Sequence, residues 1–118
     1  MLLIQGQHLK YQLTPLESLG ALAKSPTANI SNLVGINHFD DPWKGRVLRG
    51  IRAPGTGFPF LIMLGTMQFW SRRDFVVVYK IRPVFVLEFK DEKYERWIIP
   101  AEPNEELVNK LQEKMNFN

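Results

Sequence analysis

Three short runs in the second half of the chain constrain its fold most. Residues 75–81 (Phe75, Val76, Val77, Val78, Tyr79, Lys80, Ile81) and 84–89 (Val84, Phe85, Val86, Leu87, Glu88, Phe89) are dense in β-branched and aromatic side chains, with Arg82-Pro83 between them. Such side chains suit a pleated, buried surface and lose rotamer freedom in a helix. A third run, residues 94–99, follows the charged turn Lys90-Asp91-Glu92-Lys93 and is stopped by Pro100. The pattern predicts a hairpin extended into a three-stranded meander. The period then changes, because Leu107, Val108, Leu111 and Met115 recur at helical spacing. Pro103 suits a first helical position and Asn104, Glu105 and Glu106 suit the exposed amides that follow, so a helix is expected over about 103–116. Its apolar stripe has to be covered by another element.

The first half is less regular. Leu9, Tyr11 and Leu13 alternate with polar neighbours across residues 8–14, as in a strand buried on one face. Pro15 opens one or two helical turns ending near Lys24-Ser25-Pro26. A weaker strand over residues 30–39 ends at Asp40-Asp41-Pro42, and residues 46–51 give another short one. Residues 53–59 hold two prolines and two glycines and are expected to be a loop, after which residues 60–68 return to strand. Trp70-Ser71-Arg72-Arg73 is expected to be an exposed turn whose tryptophan folds back into the core.

Six or seven short strands and one amphipathic helix bury that helix most simply if the sheet curls into a partial barrel with the helix over its open end. With 118 residues, 45% of them apolar, one domain spanning residues 1–118 needs no staple. The absence of cysteine removes disulfides, thiolate zinc sites and cysteine nucleophiles.

The strand pair within 75–89, the strand at 94–99, the link Pro100-Ala101-Glu102-Pro103 and the helix from Asn104 resemble the bacterial pleckstrin-homology (PH)-like domains. The resemblance implies a mainly β fold: a half-open barrel of about seven antiparallel strands capped by one C-terminal α-helix, acting as a binding or assembly module. Some eukaryotic relatives hold phosphoinositides through a Lys-x-Arg cluster in their first hairpin. Lys44-Gly45-Arg46 has that spacing but follows the third candidate strand, so no family site is carried over.

No pattern calls for catalysis. His8 and His38 lack metal-ligand spacing, Gly55-Thr56-Gly57 lacks the remainder of a dinucleotide fingerprint, and no nucleophile motif or phosphate loop occurs. The expectation is a non-enzymatic protein with no cofactor and no metal. Its partner would be another protein or a second copy, to which residues 58–60 offer an apolar surface. The net charge of +3 arises in the first half: residues 61–118 carry nine charges of each sign, and cations gather at Lys44, Arg46, Arg49 and Arg52. Those four are the candidate anion-binding residues, for an anionic lipid headgroup or a nucleic acid, although +3 is small for nucleic acid. The apolar start has no basic region ahead of it and no apolar stretch is long enough to span a bilayer, so a cytoplasmic location is expected.

Overall fold

A computed structural model describes residues 1–45 and 47–116, with residues 51–54 and 116 as backbone only. Within them nine strands form two sheets. The smaller sheet is antiparallel and joins β1 (Leu2–Gln5), β2 (His8–Tyr11) and β3 (Thr27–Asn29) in that order. The larger has six strands: β4 (Leu33–Phe39), β5 (Ile51–Phe58), β6 (Ile62–Phe69), β7 (Arg72–Tyr79), β8 (Val84–Phe89) and β9 (Arg96–Pro100), arranged β4-β8-β9-β7-β6-β5. Helix α1 (Pro15–Ala21) lies between β2 and β3 in sequence, and α2 (Glu105–Asn116) ends the described chain.

The larger sheet is covered on both faces, which explains why its inner strands read as unbroken apolar runs. On one face Leu64, Phe75, Val77, Phe85, Leu87, Trp97 and Ile99 join one core with Leu2, Leu9 and Tyr11 of the small sheet and Val108 and Leu111 of α2. On the other, Met67, Val76, Val78, Val84, Val86 and Ile98 pack with Val47, Trp43 and Leu48 from the segment between β4 and β5. Helix α1 begins with a capping box, in which Thr14 accepts from the Glu17 amide and Glu17 from the Thr14 amide, and it stops at Leu22 in a left-handed conformation.

Several expectations are corrected. The architecture is mainly β with a C-terminal helix, but it has nine strands rather than about seven, and β4 and β5 are unjoined edges, so no closed barrel forms. The strands are not all antiparallel, because β9 lies between β7 and β8 and pairs parallel with β7 through Asp74↔Arg96, Phe75↔Trp97 and Val76↔Ile98. The expected hairpin and meander therefore do not form. A link of four residues, 80–83, reaches at most about 13 Å, enough to skip one strand at about 4.8 Å spacing. Local pattern does not reveal such a skip.

Residues 53–58, expected as loop, belong to β5. That strand is a sheet edge, where proline is tolerated, and a register shift between Arg52 and Gly55 accommodates the extra residues. Gly55 has φ +145°, and a Cβ there would stand 2.0 Å from the Leu64 carbonyl oxygen. The strand expected over 46–51 begins only at Ile51, and Arg46 lies outside the described residues. Trp70 does not fold back, since it is 85% exposed in the β6–β7 turn. Strand β1 was not foreseen; it forms a hairpin with β2 through Gly6, whose φ is +62°.

Candidate functional site

Of the four candidate anion-binding residues, Lys44 and Arg49 have described side chains, and the two sit in different surroundings. Arg49 turns inward: its Nε and Nη2 donate to Asp74 at 2.9 and 3.1 Å, and Nη2 also donates to Glu95 at 3.1 Å. Burial alone would lower the Arg49 pKa, but the hydrogen bonds and charges of Asp74 and Glu95 outweigh it and hold the guanidinium above its ordinary value. Lys44 stays on the surface, 4.0 Å from Asp41. Arg46 and the side chain of Arg52 lie outside the described residues.

What Arg49 joins is an ion cluster that sequence reasoning missed. Asp74 is buried and also accepts from Arg96 Nε at 3.1 Å and Nη2 at 2.7 Å, while Arg96 Nη2 donates to the Val47 carbonyl at 2.7 Å. The cluster fastens the β4–β5 segment over the second face of the sheet. The signal was present in Asp74, an acid directly ahead of the apolar run 75–79 on a strand too apolar to leave it in water.

Two adjacent turns form an exposed apolar tip. Phe58, Phe60, Leu61 and Ile81 are each 57 to 61% exposed, a fraction usually reserved for polar side chains. The turns are bound together, since the Lys80 amide donates to the Leu61 carbonyl at 2.8 Å and Trp43 Nε1 donates to the Lys80 carbonyl at 2.8 Å. The Trp43 ring supports Phe60 at 5.6 Å between centroids. Phe60 and Lys80 hold φ of +65° and +56°, an unfavourable region for side-chain-bearing residues. Lys44, Lys80 and Arg82 are exposed around the tip; Asp41 faces Lys44 and also accepts from the Trp43 amide at 2.9 Å.

A cavity of about 660 Å³ brings together Tyr11, Glu17, His38, Tyr79, Arg82 and Glu102. The Tyr79 hydroxyl donates to Glu17 Oε2 at 2.6 Å. Burial first pushes both Tyr11 and Tyr79 above the ordinary phenol value of 10.0, followed by the Glu17 charge for Tyr11 and by the hydrogen bond to Glu17 and then its charge for Tyr79. Both phenols therefore stay protonated near neutrality, the opposite of what a tyrosinate base needs. The stability they contribute is complete below pH 10, where the unfolded phenol titrates, and is lost as pH rises through the higher folded values. In denaturant titrations between pH 8 and 11.5, the wild-type unfolding free energy is expected to fall above about pH 10. The double variant Tyr11→Phe/Tyr79→Phe is expected to fall less steeply over the same interval.

Among the described residues no group of three His, Asp or Glu side chains is placed to hold a metal ion, and no helix is long and apolar enough to cross a membrane. No family model, curated protein or solved structure matches the chain.

Proposed function

We propose that this chain is a non-enzymatic docking module that holds itself to an anionic membrane surface through the tip formed by the β5–β6 and β7–β8 turns. The observation that carries this is the projection of Phe58, Phe60, Leu61 and Ile81 from two bonded turns, with Lys44, Lys80 and Arg82 exposed beside them. Apolar side chains on turn tips can enter the headgroup boundary while neighbouring cations face lipid phosphates. Each inserted side chain contributes on the order of 1 kcal/mol at partial burial, and each cation about as much at an anionic surface. Several such terms together give reversible attachment rather than a permanent anchor. The strand, strand, strand, helix order of residues 75–116 favours a pleckstrin-homology-like kinship, while the parallel β7–β9 pairing departs from an all-antiparallel barrel; the lipid contact lies on the tip, which shares only Lys44 with the Lys44-Gly45-Arg46 pattern.

Co-sedimentation with phosphatidylcholine vesicles, with and without roughly 30% phosphatidylserine, tests this directly. The chain is expected to pellet with the anionic vesicles, and Phe60→Asp/Leu61→Asp is expected to weaken that binding at least tenfold while the chain still melts cooperatively, since both side chains are mostly exposed and Phe60 gives up only its contact with the Trp43 ring. No binding by the wild type, or equal binding by the variant, overturns the proposal. If the wild type ignores vesicles but self-associates through the same tip, the module docks on protein instead.

A further inference from the structure

A second feature, away from the tip, concerns a different ligand. A groove of about 1020 Å³ runs between the segment after α1 and the exposed end of the β6–β7 pair. Three cations from three parts of the chain line it: Lys24 after α1, Arg73 on β7 and Lys93 in the β8–β9 link. Among the described residues no carboxylate lines it and none pairs with these three. The acids nearest to Arg73 and Lys93 in sequence are engaged elsewhere, Asp74 with Arg49 and Arg96, Glu92 with the Asn29 amide and Asn32 Nδ2, and Glu95 with Arg49 and Arg72. Asp91, in the same turn as Lys93, does not line the groove.

The cations are placed rather than scattered. Arg73 Nε donates to Gln68 Oε1 at 3.1 Å, and Gln68 Nε2 donates to the Trp70 carbonyl at 2.6 Å, so the guanidinium is steered, and among the described residues its terminal nitrogens have no hydrogen-bond partner. Lys93 Nζ stands 5.3 Å over the Tyr94 ring. In the lining, the hydroxyls of Thr66 and Tyr94 lie 3.2 Å apart on buried residues, so one of the two protons is left for another acceptor. Opposite, Leu22, Ala23 and Pro26 supply an apolar wall.

Three positive charges lining one groove, with no counter-charge there among the described residues, repel one another and are relieved by an anion bearing at least two charges. The volume is that of a metabolite site rather than of a bare ion. We infer that the groove binds an organic phosphate of nucleotide size, its phosphates on Arg73, Lys24 and Lys93 and its organic part against the Leu22–Pro26 wall. This site is independent of the membrane tip, and neither depends on the other.

The test is calorimetric titration of the intact chain with inorganic pyrophosphate and with ADP, at low salt and at roughly 0.3 M salt, where screening weakens exposed charge contacts. Submillimolar binding at low salt that weakens at high salt is expected. Arg73→Gln/Lys93→Gln should lose at least tenfold in affinity, and Lys24→Gln, outside both sheets, should lose severalfold with an unchanged melting temperature. Lys110→Gln, on the exposed side of α2, should bind as the wild type does. Tighter binding of ADP than of pyrophosphate is expected, because the organic part uses the apolar wall; equal or tighter binding of pyrophosphate overturns the nucleotide assignment and leaves a site for phosphate alone. Absence of binding by either probe, or undiminished affinity in both the Arg73/Lys93 and the Lys24 variants, overturns it.

Discussion

Asp74→Ala is expected to lower the unfolding free energy by about 3 kcal/mol or more, the scale seen when one partner of a buried ion pair is removed. Asp74 accepts four hydrogen bonds from two guanidiniums, and its removal leaves Arg49 and Arg96 facing each other with only Glu95 as a compensating acid. The consequence extends beyond the charges. Arg96 also holds the Val47 carbonyl, and Val47 belongs to the segment that shields Val76, Val78, Val86 and Ile98 from water. Loosening that segment opens a whole face of the sheet. The triple variant Asp74→Leu/Arg49→Met/Arg96→Met removes all three charges and supplies apolar volume, so it should recover much of the loss. Urea unfolding of the wild type, the single variant and the triple variant measures both effects. An alanine variant within about 1 kcal/mol of the wild type would show that the cluster does not hold the segment.

The elements that could be read in advance are those whose pattern is local. The apolar runs became β7, β8 and β9, and the stripe of Leu107, Val108, Leu111 and Met115 became α2, because a strand buried on both faces and an amphipathic helix each write their burial into adjacent residues. Pairing is not local. The insertion of β9 between β7 and β8 depends on contacts that bring Asp74 beside Arg96, twenty-two positions apart, and no run of neighbouring residues announces it. Strand β5 was hidden for a different reason: Pro54, Gly55 and Gly57 are ordinary loop residues, and only an edge with a register shift makes them usable in a strand. The same contrast applies to the sites. The apolar tip at residues 58–60 was visible in the sequence, whereas Arg49 was grouped with its charged neighbours because its buried partner lies on another strand. The groove of Lys24, Arg73 and Lys93 joins residues up to sixty-nine positions apart and exists only once the two sheets and α1 are assembled.

Deleting residues 104–118 is expected to abolish cooperative folding. Val108 and Leu111 are fully buried in the core shared by both sheets, each contributing roughly 1.5–3 kcal/mol by burial alone, with Leu107 and Met115 packed partly against the same core. Asn104 adds a polar tie: its Oδ1 accepts from the buried Leu2 amide at 2.9 Å, and its Nδ2 donates to the Pro100 carbonyl at 2.9 Å. Without Asn104, β1 keeps a buried N–H with no partner, a cost of about 1–3 kcal/mol. Together these losses reach the lower part of the 5–15 kcal/mol that holds a typical domain folded. Two point variants separate the contributions. Leu111→Ala should cost about 2–5 kcal/mol through lost burial and the cavity left behind. Asn104→Ala should cost less, and the Leu2 amide should lose its protection in hydrogen exchange while amides of the central strands keep theirs. A truncated chain that still melts cooperatively near the parent temperature would mean that the two sheets close their core without α2, leaving Val108 and Leu111 to cover a surface that tolerates water.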